Sequence, residues 1–198
     1  MALKKYLILF IFVIISLSNI GSAYSIQPDV FVQSTVNRAS EALNNKYSKK
    51  EKIEKLKAIA RETVDINGIG LYTLGSYRKD LNETQKKEYS KLFEQYFLKS
   101  FSSRLAEYSN PEIQVNSKKK LNDNYTMVSS VLIATEKRPE VKIDWRIYTK
   151  NPNNLLIRDL IIEGLSLVRT QKEEFSSIIQ NNDQNIEVLF ETLNKFIN

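Results

Sequence analysis

The spacing of the apolar residues changes along this chain, and the change limits the folds available to it. Before Asn110 and Pro111, apolar residues recur every three or four positions, which places them on one face of a helix. After this pair they alternate with polar residues, as in half-buried strands. Helical spacing returns from Thr170 onward. The order of helices, strands and helices predicts an α+β fold.

Two capping boxes predict where helices begin in the first half. Ser48 is followed three residues later by Glu51, and Asn82 by Gln85. In this pattern each side chain bonds to the backbone N–H of the other residue. The second box begins the longest predicted helix, over about residues 83–108.

This long helix carries an unusually aromatic apolar face. Phe93, Phe97 and Phe101 are spaced four residues apart and form one stripe. Two interpretations remain open. Either the stripe packs on the sheet and fills the core, or it lines an open cavity together with Trp145 that holds an apolar ligand.

Four strands are expected in the second half. They begin at Ile113, cover residues 125–135, 141–148 and 155–162, and are joined by short turns. Short turns favour an antiparallel sheet, with helices covering one side. The expected architecture has N-terminal helices, a four-stranded antiparallel sheet and C-terminal helices. It resembles the NTF2-like fold in outline.

Residues 1–23 have the pattern of a secretory signal peptide. Lys4 and Lys5 precede an apolar run over residues 6–17, and small residues follow at Gly21 and Ala23. The run is shorter than the roughly 20 residues of a membrane-spanning helix. We therefore expect cleavage after Ala23, leaving residues 24–198 as a single exported domain, which we expect to be a monomer.

The residue types that are absent exclude most enzyme classes. The 198 residues include no histidine and no cysteine, which removes the common catalytic triads, zinc–thiolate sites and disulfides. The remaining acid–base candidates are Asp144, Asp159 and Glu163 on adjacent predicted strands, although Arg146 and Arg158 could pair with them. We expect no cofactor and no metal.

The positive charge of the chain does not form a nucleic-acid-binding motif. The formal net charge is +6 and the isoelectric point about 9.3, but the lysines are scattered and no arginine cluster occurs. We expect no nucleic-acid partner. The lysines of residues 49–57 and 118–120 either form a solvated surface or dock on acidic partners.

Several segments, taken in order, resemble the MlaC family. Residues 157–168 read IRDLIIEGLSLV and resemble the family signature, and Phe175 follows at a similar spacing. Residues 74–77 and 144–148 resemble two further family segments, and Gln85 with Phe93 resembles a third. Arg78 departs from the pattern, because many members carry tryptophan there, and residues 169–172 lack the usual aromatic–arginine pair.

The resemblance implies a carrier rather than an enzyme. MlaC proteins are periplasmic phospholipid carriers of the Mla lipid transport system, also called the toluene-tolerance auxiliary family. Such a protein would hide the acyl chains of a glycerophospholipid in an apolar cavity between helices and sheet. It would exchange lipid with an outer-membrane lipoprotein–porin complex and an inner-membrane ABC lipid transporter complex.

This function is physically consistent with a chain that lacks catalytic residue types. Each methylene moved out of water contributes about 0.8 kcal/mol, and a bilayer offers acyl chains nearly the same gain. The free energy of moving a lipid between carrier and membrane is therefore close to zero.

We predict that acyl chains contact residues of the long helix, the preceding segment and the strands. These residues are Leu74, Tyr77, Phe93, Tyr96, Phe97, Phe101, Val131, Ile143, Trp145, Ile147, Ile161 and Leu165. Two alternatives stay open. One is a carboxylate-based enzyme on an NTF2-like fold with Asp144 or Asp159 as its base, and the other is a periplasmic chaperone or adaptor with an apolar groove.

Overall fold

The computed structural model describes residues 26–136 and 138–198. The predicted signal peptide lies outside these ranges. Four helices precede the sheet: α1 (Pro28–Ala42), α2 (Lys49–Thr63), α3 (Ile66–Thr73) and α4 (Glu83–Leu105). Two follow it: α5 (Leu167–Gln180) and α6 (Ile186–Ile197). A 3-10 helix, Gly75–Lys79, joins α3 to the loop before α4.

The sheet is antiparallel, and its strands are neighbours in chain order. They are β1 (Ile113–Lys120), β2 (Tyr125–Leu132), β3 (Val141–Tyr148), β4 (Leu156–Ile162) and β5 (Leu165–Ser166). This arrangement confirms the predicted α+β class. The described sheet has five strands rather than four, because Glu163 and Gly164 adopt positive φ angles of 49° and 83° and turn the chain back along β4. Strand β5 has two residues, too few to show an alternating pattern.

Local capping signals set most helix starts as predicted. Both capping boxes are formed, at the N-termini of α2 and α4. Helix α4 ends at Leu105 rather than near residue 108. Helix α5 begins three residues before Thr170, because the Ser166 side chain accepts a hydrogen bond from the Arg169 N–H and caps the first turn.

One face of the sheet packs against α1 and forms the first core, here called the sheet core. Val32 and Val36 of α1 are buried against this face. The other buried members are Val128, Leu132, Ile143, Trp145, Ile147, Leu155 and Ile157. Within it the Trp145 indole N–H donates to Ser130 Oγ at 2.8 Å, so the buried donor is satisfied.

A second core, here called the helical core, is formed by helices. Its buried members are Ala60, Ile66, Ile69, Leu74, Leu81, Tyr89, Phe93, Leu98, Phe175, Ile179, Leu189, Phe190 and Leu193. Burial raises the pKa of the Tyr89 phenol, whose oxygen lies 2.8 Å from Thr73 Oγ1. Among the described residues, Val64 alone packs against both the helical core and the sheet core.

The aromatic helix α4 belongs to the helical core and not to the sheet. Its main neighbours are α6, α2 and α3. The Phe93 ring meets the Phe175 ring of α5 edge-on at 6.3 Å, and the Tyr96 ring lies 4.9 Å from that of Phe196 in α6. The stripe therefore fills a core, as one of the two interpretations states, but helices and not the sheet form this core, and Trp145 lies apart from it in the sheet core. Helical spacing identifies an apolar face, but it does not identify the element that covers it.

Helix α3 approaches α4 closely because of a glycine. A Cβ atom built on Gly70 would lie 2.8 Å from Cδ1 of Phe93, well inside normal contact. Gly70 is therefore needed for the close packing of α3 on α4.

We expect Gly70→Val to lower the free energy of unfolding by about 1–3 kcal/mol, the usual cost of overpacking a core. Urea denaturation followed by circular dichroism measures the change. Leu71→Val, at the exposed neighbouring position, is the control and should shift the midpoint little. A Gly70→Val protein as stable as this control would show that α3 does not need the close approach.

Strand β1 forms one edge of the sheet, and its second half is exposed. Lys118 pairs with Asp29 of α1 at 2.7 Å, and Lys120 with Asp123 at 2.8 Å. Both are surface pairs, which contribute about 0–1 kcal/mol each.

None of the helices in the described ranges combines the length and the apolar character needed to cross a membrane.

Candidate functional site

A cleft of about 280 Å³ lies between α3, the start of α5 and the sheet face opposite the sheet core. Strand pairing shows which face this is, because Arg146 sits between its register partners Met127 and Asp159, whereas Trp145 points to the α1 side. The cleft is lined by Gly68, Ile69, Tyr72, Leu121, Asn122, Tyr125, Arg146, Arg158, Asp159 and Val168. Its walls are therefore apolar and aromatic, with charged groups on the strands.

The cleft continues into a shallower depression of about 470 Å³ that shares Gly68, Tyr72 and Arg158 with it. Leu71 and Arg78 line this outer part. Three large apolar side chains that line the cleft or its outer part are exposed to solvent, namely Leu71, Tyr72 and Leu121. An apolar, solvent-accessible rim around a cleft is typical of a binding surface.

Asp159 connects the strand that bears it to helix α5. Its side chain accepts hydrogen bonds from Ser166 Oγ at 2.6 Å and from the Val168 N–H at 3.2 Å. The residue is only 3% exposed. A buried carboxylate needs such partners, and here they belong to the first turn of the helix.

This contact explains the segment of residues 157–168 in structural terms. Asp159 faces the cleft, Glu163 and Gly164 form the turn, and Ser166 both caps α5 and donates to Asp159. The segment therefore fixes the angle between β4 and α5 at one wall of the cleft. Its residues therefore have a structural role in shaping that wall.

Arg158, the neighbour of Asp159 on β4, also lines the cleft. Its guanidinium forms an ion pair with Asp65 and lies 4.8 Å from the centre of the Tyr148 ring. Asp65 also accepts a hydrogen bond from the Gly68 N–H at 2.8 Å, which caps α3. A Cβ atom on Gly68 would lie 2.7 Å from the Arg158 Cζ. Glycine therefore allows the arginine to lie directly against α3.

The carboxylates proposed for catalysis are engaged separately. Asp144 accepts a hydrogen bond from Ser129 Oγ at 2.6 Å and lies 3.6 Å from Lys142 Nζ. In the strand register it faces Ile161 and not Asp159. The Glu163 side chain accepts from the Lys142 backbone N–H. Within the described ranges no group of three or more acidic residues could hold a metal ion.

The structure does not bring the twelve residues predicted to contact acyl chains to one cavity. Six belong to the helical core or pack against it: Leu74, Tyr77, Phe93, Tyr96, Phe97 and Phe101. Three are buried in the sheet core: Ile143, Trp145 and Ile147. Val131 and Ile161 lie on the cleft face of the sheet by register, and Leu165 is 59% exposed. Their contact with lipid stays a prediction.

Sequence reasoning missed most residues of the cleft because they come from separate elements. Ile69 and Tyr72 are on α3, Tyr125 begins β2, and Val168 lies in the first turn of α5. No shared periodicity connects these positions. The available signal was the pair of glycines at positions 68 and 70, which marked α3 as a site of close approach.

Fold and cleft together define a class of protein: a mixed helix-and-sheet domain with an amphipathic binding cleft between one sheet face and two helices. The family model for MlaC proteins matches residues 33–195. The chain therefore belongs to the MlaC family.

Two relatives agree with this assignment. The chain is 24% identical over 205 residues to the intermembrane phospholipid transport system binding protein MlaC of Haemophilus influenzae, covering 94% of this chain and 90% of that protein. It also superimposes with a TM-score of 0.73 on a phospholipid-binding protein from Ralstonia solanacearum, solved in complex with a phospholipid. That match has 16% identity and covers 87% of this chain and 97% of the other. At this identity the second match shows a common fold.

Proposed function

We propose that the protein is a periplasmic carrier that binds glycerophospholipid in the cleft. The observation that carries the proposal is the cleft itself, which has apolar walls, an apolar rim and an opening to solvent. Membership of the MlaC family supports it, as do the two relatives, a phospholipid transport system binding protein and a phospholipid-binding protein.

Accepting a lipid requires the cleft to widen. Its volume of about 280 Å³ falls just below the roughly 300–1,000 Å³ of ordinary ligand pockets, and a two-chain lipid needs a pocket at the upper end of that range. The cleft lies where the helical core meets the sheet, and Val64 is the shared packing residue among those described. Widening there leaves the interior of each core in place.

The partners follow from the same proposal. A carrier whose pocket and a bilayer hold acyl chains about equally well needs no energy source of its own, because each methylene gains about 0.8 kcal/mol in either place. We infer that the lipid is exchanged with an outer-membrane lipoprotein–porin complex and an inner-membrane ABC lipid transporter complex. The signal peptide expected at residues 1–23 would place the protein in the periplasm between them.

The decisive experiment measures lipid loading directly. Mature protein is incubated with phosphatidylglycerol vesicles, separated from them and examined by native mass spectrometry for a complex of one protein with one phospholipid. We expect Val168→Trp to reduce loading, since the indole fills the cleft beside α5. Overpacking costs about 1–3 kcal/mol, which corresponds to about 5- to 150-fold in affinity.

Val141→Trp provides the matched control. Val141 is also a half-buried valine, but it packs against the sheet core on the other face of the sheet. We expect this variant to load lipid like the wild type. If folded wild-type protein acquires no phospholipid, the carrier function is wrong. If both tryptophan variants load normally, the lipid lies outside this cleft.

A further inference from the structure

We propose that Arg146 binds the phosphate group of the lipid in the cleft. This inference rests on the proposed carrier function and adds to it a chemical basis for ligand choice. Lipids with a phosphodiester are preferred to diacylglycerol, which has the same chains without the phosphate.

The Arg146 side chain is partly exposed in the cleft and has few partners. The Arg146 side chain is 43% exposed and lines the cleft. Its nearest acidic atom is Asp159 Oδ2, at 3.8 Å from Nη1, which is beyond hydrogen-bond distance. Within the described ranges the guanidinium makes this one ion pair and no hydrogen bond. Its N–H donors are therefore free for a ligand.

The neighbouring carboxylate of Asp159 has hydrogen-bond donors other than Arg146. Asp159 already receives hydrogen bonds from Ser166 Oγ and the Val168 N–H. Arg146 can therefore turn toward a ligand while the Asp159 carboxylate stays satisfied. The other arginine of the cleft, Arg158, is already paired with Asp65.

The cleft has apolar side chains in one part and the charged Arg146 in another. The apolar side chains of Ile69 and Val168 pack against the helical core, whereas Arg146 is half exposed. A phospholipid has the same division, with hydrocarbon chains at one end and an anionic phosphate at the other. Arginine suits the phosphate because its planar fork can donate two parallel hydrogen bonds to a phosphate group.

The test compares two lipids in the same vesicles. Dioleoylphosphatidylglycerol and dioleoylglycerol are mixed, and native mass spectrometry gives the ratio in which each protein takes them up. We expect the wild type to favour the phospholipid by about tenfold or more, because a charge-assisted hydrogen bond is strong enough to change affinity by that factor. Arg146→Gln should bring the ratio near one, and Arg146→Lys should restore part of the preference.

Lys142→Gln is the control for loss of charge alone. Lys142 lies on the same strand and the same sheet face, with a side chain that is 62% exposed, and it does not line the cleft. This variant should keep the wild-type ratio. Equal thermal melting curves for all variants show that the fold is retained.

The outcomes separate this inference from the carrier function. If Arg146→Gln loads phospholipid with the wild-type preference, the phosphate site is wrong and the carrier function stands. If the wild type loads neither lipid, both are wrong. A further arm titrates inorganic phosphate into the lipid-free protein. Tight binding that Arg146→Gln abolishes, without any change in lipid preference, would assign the site to a free anion and overturn the headgroup role.

Discussion

Phe93→Ala should lower the free energy of unfolding by about 3–5 kcal/mol, the usual cost of truncating a buried phenylalanine. Phe93 is 2% exposed, and its ring lies within 6.3 Å of those of Tyr89, Tyr96, Phe97 and Phe175. On its remaining side it lies against the backbone of α3 at Gly70.

The glycine makes this site unusually sensitive. A cavity costs less when neighbouring side chains can relax into it, but the wall formed by Gly70 has no side chain to contribute. Typical domains are stable by only about 5–15 kcal/mol, so the variant should lose much of its stability. The urea midpoint, followed by circular dichroism and by tyrosine fluorescence, measures the change.

Phe101→Ala is the matched control on the same stripe. The Phe101 ring stacks on that of Phe97 at 5.6 Å, and the side chain is half-buried. We expect its truncation to cost about 1–2 kcal/mol, below the range for fully buried rings. A Phe93→Ala protein no less stable than Phe101→Ala would contradict the assignment of Phe93 to the centre of the helical core.

Asp159→Ala has the second large effect that we expect, about 3 kcal/mol of unfolding free energy. The change leaves the Ser166 hydroxyl and the Val168 N–H without their acceptor, and hydrogen bonds to a buried charge are worth about 1.5–3 kcal/mol each. Because both donors lie in the first turn of α5, the helix should also lose part of its attachment to β4. Chemical denaturation measures the stability, and hydrogen exchange of the first amides of α5 reports the attachment.

Asp144→Ala tests whether burial and helix attachment cause the effect. Asp144 also accepts a serine hydroxyl at 2.6 Å, but its side chain is more exposed and its donor lies on the neighbouring strand. We expect about 1 kcal/mol for this variant, as for an ordinary hydrogen bond. If the two variants lose equal unfolding free energy and amide hydrogen exchange in α5 is unchanged, Asp159 does not attach α5 to β4.

Sequence signals that act between nearby residues predicted the structure correctly. The capping boxes at Ser48 and Asn82 predicted the starts of α2 and α4 correctly, because their contacts span three residues. The antiparallel sheet was also predictable, since strands joined by short turns pair with their neighbours. The partner of α4 was not, because its aromatic face can be buried equally well by a sheet or by other helices.

The site was harder to predict for the same reason. An acid–arginine pair on adjacent strands was foreseen, and Arg146 and Asp159 form one. Arg158 instead pairs with Asp65, which is far away in the sequence and close only in the fold. The cleft combines residues from α3, β2 and α5 that no single pattern connects.

The lysines on strand β1 have a consequence for the protein at high concentration. An edge strand offers a row of unpaired backbone groups to other molecules, and β1 is such an edge. Residues 118–120 are consecutive lysines, and lysines on an edge strand oppose its pairing with another chain. These lysines therefore oppose intermolecular strand pairing and aggregation at high protein concentration.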